Sequence, residues 1–107
     1  MQLTPSEQQI LTRLADTLRR DLGASEVLLY GSAARGQLEE GSDIDLLVVL
    51  PKVNWEVEKQ VTDRCFQAEL KCERIISATC FTEAELTQTP LRASPFVLNA
   101  RKEGIQL

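Results

Sequence analysis

Near the start of the chain, Ile10, Leu11, Leu14, Ala15, Leu18 and Leu22 recur at helical spacing. Thr4 and Glu7 form a capping box, Pro5 takes the first helical position and Gly23 supplies the stop. Val27-Leu28-Leu29-Tyr30 is a short apolar strand ending at Gly31. Ser32-Ala33-Ala34-Arg35-Gly36 predicts a brief helix with Ser32 as N-cap, and Glu39-Glu40-Gly41-Ser42 a polar loop. Asp43 to Leu50 is the strongest strand signal, and Pro51 ends it. A long helix follows, with Asn54 as N-cap and Val57, Val61, Cys65, Ala68 and Cys72 as its buried stripe. Arg74 to Phe81 reads as a third strand, with Ile76, Ala78 and Cys80 on one face. Thr82 and Glu85 form a second capping box opening a short helix. Ser94, Pro95 and Gly104 frame the last one.

The order α-β-α-β-α-β-α-α, without repeat or linker, predicts an α/β (α+β) fold: one domain over residues 1–107, with a small mixed sheet packed by helices. The stretch of about 20 residues between the second and third strands suits a helical crossover, which makes that pair parallel. The pattern leaves the direction of the first strand open. Trp55, Phe66 and Phe96 are read as completing the core, with partner contact as the alternative.

Composition narrows the chemistry. A chain of 107 residues supports one core and is too short for two. The net charge of −4 argues against a broad nucleic-acid surface, while leaving room for a small positive pocket. Met1-Gln2-Leu3-Thr4-Pro5 has no signal-peptide pattern, and the longest apolar run, Ile44 to Leu50, contains Asp45. No membrane association and a cytoplasmic location are therefore expected. Cys65, Cys72 and Cys80 form no C-x-x-C pair and read as reduced, packed thiols. The chain has no histidine, which removes Ser-His-Asp hydrolases, Cys-His proteases and zinc-histidine sites. Chemistry must rest on carboxylates, hydroxyls and backbone amides, with or without a metal.

Two short motifs offer such chemistry. Gly31 at a strand end lets a ligand approach the backbone, and a helix starting at Ser32 aims free N–H groups at the same spot, which favours phosphate. Alone, this motif is more often just a turn with an N-cap. Asp43 and Asp45, two apart in a strand, share a face while Ile44, Leu46 and Val48 turn to the core. Neighbouring carboxylates repel and raise each other's pKa, and a divalent cation such as Mg²⁺ or Mn²⁺ relieves the repulsion. Alternatively, Asp43 caps the strand and Asp45 pairs with a basic side chain.

Gly31-Ser32-x-Ala34-Arg35-Gly36 followed by Gly41-Ser42-Asp43-Ile44-Asp45-Leu46 resembles the signature of the polymerase-β-like nucleotidyltransferase superfamily. Within it, the sequence is most similar to the stand-alone minimal nucleotidyltransferases, antitoxin-type partners of HEPN-domain proteins. Thr82 to Leu86 and the closing 99–105 segment are also similar to that group. The resemblance implies a nucleotidyltransferase fold and transfer of a nucleotide, usually AMP from ATP, onto a hydroxyl. It implies Asp43 and Asp45 as the catalytic, Mg²⁺-holding pair, Gly31 and Ser32 on the β- and γ-phosphates, and Ser42 as a further nucleotide contact. Arg35 either reaches the triphosphate or pairs with Glu39 or Glu40.

Active members of the superfamily carry a third carboxylate on the strand after the long helix; at the corresponding position this chain has Ser77. Glu73 shares that face, but at about 3.3 Å per residue it lies roughly 13 Å away. Paired catalytic metals are only about 3.5–4 Å apart, so Glu73 is no substitute. Two readings follow: an active transferase that modifies a hydroxyl on a partner protein, and a catalytically impaired nucleotide-binding module that neutralises a partner by direct binding. A third, modification of a small molecule such as an aminoglycoside, is disfavoured because relatives that do this carry an extra helical domain. The hydroxyl is then presented by a separately encoded small helical HEPN-type protein, or by a second copy of the chain.

Overall fold

A computed structural model describes residues 3–31, 33, 34, 36 and 43–107. Helix α1 (Pro5–Leu22) opens on the capping box: the Glu7 N–H donates to the Thr4 hydroxyl, and the Thr4 N–H donates to the Glu7 carboxylate. Gly23 closes it in the left-handed region, at φ 72°. There follow β1 (Glu26–Tyr30), β2 (Ile44–Leu50), α2 (Trp55–Cys72), β3 (Ile76–Thr82), α3 (Glu83–Gln88), a 3₁₀ turn (Pro90–Ala93), α4 (Pro95–Glu103) and β4 (Ile105–Gln106). Asn54 caps α2 through its side chain, and Thr82 with Glu85 forms the second capping box at α3.

The strands lie in the order β3-β2-β1-β4. β2 and β3 run parallel, with α2 as their crossover, while β1 is antiparallel to both β2 and β4. β4 is not anticipated by the sequence pattern. Gly104 makes its approach possible: the Gly104 N–H donates to the Ala100 carbonyl at 2.8 Å, and a Cβ there would come within 2.2 Å of that oxygen.

Helices cover both faces of the sheet. On one, α1 and α2 bury Leu11, Leu14, Leu18, Val57, Val61 and Cys65 against Val27, Ile44, Leu46 and Val48. On the other, Leu86 of α3 and Val97 and Ala100 of α4 pack on Leu28, Leu47 and Val49. Every residue of β2 except Asp45 is thus buried, as befits a central strand covered on both faces. An ion pair between Glu7 and Arg74, with side chains only 12% and 8% exposed, ties the start of α1 to the segment leading into β3.

β3 is an edge strand, and its outward donors are occupied at both ends. The Ile76 N–H donates to the Glu69 carboxylate at 2.8 Å, and the Thr82 N–H to the Glu85 carboxylate at 3.1 Å.

Several expectations need correction. The brief helix predicted after β1 is replaced, among the described residues, by turns at Gly31, Ala33, Ala34 and Gly36. The Gly36 N–H donates to the Ala33 carbonyl at 3.3 Å, a bond that spans three residues as in a β-turn. β3 starts at Ile76 and not at Arg74, because Glu73 adopts φ 58° as the C-cap of α2. Trp55 and Phe66 do not complete the core: they are 70% and 54% exposed, off the buried stripe of α2. Phe96 is also exposed on α4, though it contacts two other rings. Among the described residues, no helix is long and apolar enough to cross a membrane.

Candidate nucleotide and metal site

The apolar cover supplied by α3 and α4 stops at Leu47, and the next residue toward the start of β2 on that face is Asp45. Asp45 pairs in register with Tyr30 of β1 on one side and Ser77 of β3 on the other. Register partners share a face, so these three side chains stand in a row across the sheet. Asp43 is exposed just before the strand, two residues from Asp45.

Gly31 closes the site from above. Its φ of 74° turns the chain back, and a Cβ built on it would lie 3.0 Å from Asp45 Oδ2. The backbone here therefore sits against the carboxylate, with space reserved by the absence of a side chain. Partial burial, and then the negative charge of Asp43, push the Asp45 carboxyl above the ordinary carboxylate range. The two acids thus lie close enough to repel.

Beside them is an aromatic wall that sequence reasoning missed. The Tyr30 side chain reaches across β2 toward Thr79 of β3. Phe96 of α4 meets its ring edge-on at 5.2 Å between centroids, with Phe81 at 6.5 Å from Phe96. Burial, with the nearby Asp45 charge as a lesser cause, raises the Tyr30 phenol against the opposing influence of Thr79. Placing Tyr30 beside Asp45 required knowing that β1 is antiparallel to β2, which the sequence pattern leaves open.

Of the site residues expected from sequence, Gly31, Asp43, Asp45 and Ser77 come together at this end of the sheet. Glu73 does not join them, being the cap of α2. Ser32, Arg35 and Ser42, with Glu39 and Glu40, lie outside the described residues.

Among the described residues, no three histidine, cysteine or acidic side chains gather to hold a metal. Two adjacent carboxylates remain as an all-oxygen donor pair. That set fits a hard divalent cation which keeps several waters and takes further oxygens from a substrate phosphate, the habit of Mg²⁺. The cysteines are free, and burial pushes the Cys65 thiol up to about 12 and the Cys80 thiol up to about 11. Neither is a thiolate near neutral pH. A cavity of about 520 Å³ next to Ala33, Ala34 and Gly36 includes Leu29 and Leu11 in its wall, and so belongs to the α1 face, opposite Asp45.

The model of the nucleotidyltransferase domain family matches residues 11–96. No curated protein matches the chain. Three solved structures share its fold. A toxin–antitoxin with AMP-PNP aligns at TM-score 0.62 and 17% identity, over 92% of this chain and 70% of the matched one. A toxin–antitoxin MntA–HpeT mutant gives 0.60 and 18%, over 91% and 70%. A tri-AMPylated Shewanella oneidensis HEPN toxin in complex with MNT antitoxin gives 0.56 and 15%, over 94% and 70%. The family match spans most of the chain and includes Gly31, Asp43, Asp45 and Ser77. This chain belongs to the nucleotidyltransferase domain family.

Proposed function

We propose that the chain transfers a nucleotide, AMP from ATP with Mg²⁺, onto a hydroxyl of a small helical HEPN-type partner, acting as the antitoxin of the pair in the cytoplasm. The observation that carries this reading is the placement of Gly31 against Asp45, with Asp43 beside it, in a nucleotidyltransferase domain. The backbone at Gly31, with Ser32 and Ser42, would hold the phosphates, with Arg35 either at the triphosphate or paired with Glu39 or Glu40. Asp43 and Asp45 hold the cation, which when bound neutralises the triphosphate and the departing pyrophosphate. The chain's own contribution is positioning: carboxylates fixed on a buried strand, and a glycine that admits the substrate. Structural likeness to the complex of an AMPylated HEPN toxin supports both AMP as the group transferred and a protein as acceptor.

Ser77 favours a second reading, in which the chain binds Mg·ATP but neutralises its partner by direct contact. A hydroxyl beside Asp45 supplies no charge to a metal that would activate the attacking group. One experiment separates the two: the chain is incubated with α-labelled ATP, Mg²⁺ and the HEPN-type partner. Label on a partner hydroxyl, lost with Asp43→Asn or Asp45→Asn, is expected. No transfer from any nucleoside triphosphate, by folded chain that binds Mg·ATP, would overturn the first reading. Neutralisation that survives Asp43→Asn would establish the second. A homo-oligomer, with a second copy as acceptor, is tested in the same assay by labelling of the chain itself.

A further inference from the structure

The far side of the molecule carries a groove that the proposed reaction does not use. α1 and α2 run antiparallel, with Glu7 near Arg74 at one end and Asp21 near Arg64 toward the other. Between them lies a concavity of about 210 Å³ in whose wall, among the described residues, Arg13, Arg64 and Lys71 carry the charge. Its floor is apolar, formed by Ile10, Leu14 and Ala68. Because α1 and α2 cover the sheet face opposite Asp45, a full helical layer separates this groove from the candidate catalytic site.

The cations are arranged unevenly. Arg64 is held in place: it donates to Asp21 at 3.1 Å and to the Gln60 carbonyl at 3.1 Å. The side chains of Arg13 and Lys71 have no ion-pair partner among the described residues. Two uncompensated positive charges over an apolar floor are notable on a chain of net charge −4. Small-molecule sites usually enclose about 300–1,000 Å³, so this groove is scaled to a few side chains and not to a nucleotide. A continuous phosphate backbone is disfavoured as well, because beyond the groove it would run past Asp16, Asp21 and Asp63 on the same two helices, whereas a short segment stays within the wall, which contains none of them.

We propose that this groove docks a short protein segment in which acidic residues alternate with aliphatic ones, the acids meeting Arg13 and Lys71 and the aliphatic side chains resting on Ile10, Leu14 and Ala68. Charge complementarity selects the acidic partner, and the apolar floor selects its apolar neighbours. The inference stands apart from nucleotide transfer, since it uses none of the same residues.

The test is an amide NMR titration of the full chain with the capped peptide Ac-Glu-Leu-Glu-Leu-Glu-NH₂ at low ionic strength. Shifts confined to residues 10–17 and 64–71 are expected, weakening about tenfold in the Arg13→Glu/Lys71→Glu double variant. Lys102→Glu, a single charge reversal on α4 outside the groove, should leave the affinity unaltered, and unchanged amide dispersion certifies that each variant is folded. Shifts elsewhere, no shifts, or equal weakening by Lys102→Glu would overturn the proposal. So would an oligouridine RNA that occupies the same residues more tightly than the peptide.

Discussion

Ser77 lies directly across from Asp45 in the parallel β2–β3 pair, on the same face and exposed. Adjacent strands are about 4.8 Å apart, so a carboxylate at position 77 would join the same oxygen cluster as Asp45. Ser77→Asp is therefore expected to tighten Mg²⁺ binding about tenfold and to raise nucleotide transfer, since one more charged oxygen ligand enters the site. Without metal, the same variant should melt earlier, from a third like charge. Calorimetric titration and thermal melts with and without Mg²⁺ check both; an unchanged Mg²⁺ affinity would remove Ser77 from the site.

Asp45 should show a conflict between stability and function. Its pKa is raised in the fold by burial and by Asp43. A raised acid favours folding most when it is protonated, below its unfolded pKa, and that contribution is lost as pH rises through the folded value. Asp45→Asn is accordingly expected to melt higher than the parent at neutral pH without metal. The gain should vanish on acidification through the carboxylate range, while Mg·ATP binding is abolished at every pH. Asp43→Asn should recover part of the same gain, because it removes the like charge.

Gly31→Ala combines two penalties. A left-handed φ of 74° costs a residue with a Cβ about 1–2 kcal/mol, and the new methyl would press on Asp45 Oδ2 at 3.0 Å. A denaturant midpoint lowered by that amount, together with weaker ATP binding, is the expected pair of results. A variant that lost stability but bound ATP normally would show that the glycine serves only the turn.

The Glu7–Arg74 pair links two elements far apart in sequence. Removing one partner of a poorly exposed pair strands the other, and Arg74→Ala should cost about 3 kcal/mol in urea unfolding. Burial pushes the Glu7 carboxyl up, but the Thr4 N–H and Arg74 outweigh it, and the net shift is downward. Its stabilisation is thus present above the unfolded carboxylate pKa and disappears as pH falls through the lower folded value. Glu7→Gln should flatten this acid limb of the stability profile.

Local chemistry made much of the fold legible. Thr4 with Glu7 and Thr82 with Glu85 announce helix starts because their hydrogen bonds span three residues and need no tertiary context. Strand parity likewise puts Asp45 and Ser77 on one face, because alternation belongs to the extended backbone itself. Trp55 and Phe66 resisted the same reasoning: residue type suggests burial, whereas the phase of α2 turns them outward. β4 is too short to display a period, and the Leu107 N–H bond to the Val27 carbonyl that continues it is a long-range contact. The Tyr30–Thr79 link spans three strands and depended on the antiparallel course of β1.

The open edge of β3 has a bearing on how the protein behaves when crowded. Alternation along the strand turns the N–H groups of Ile76, Ala78, Cys80 and Thr82 away from β2, and the Glu69 and Glu85 carboxylates already occupy the first and last. An incoming strand would find in the middle the Ala78 and Cys80 donors, unpartnered among the described residues, and an anionic side chain at either end. Strand addition along this edge is thereby opposed by residues that also belong to the helices flanking it, so the same carboxylates serve the fold and guard its edge.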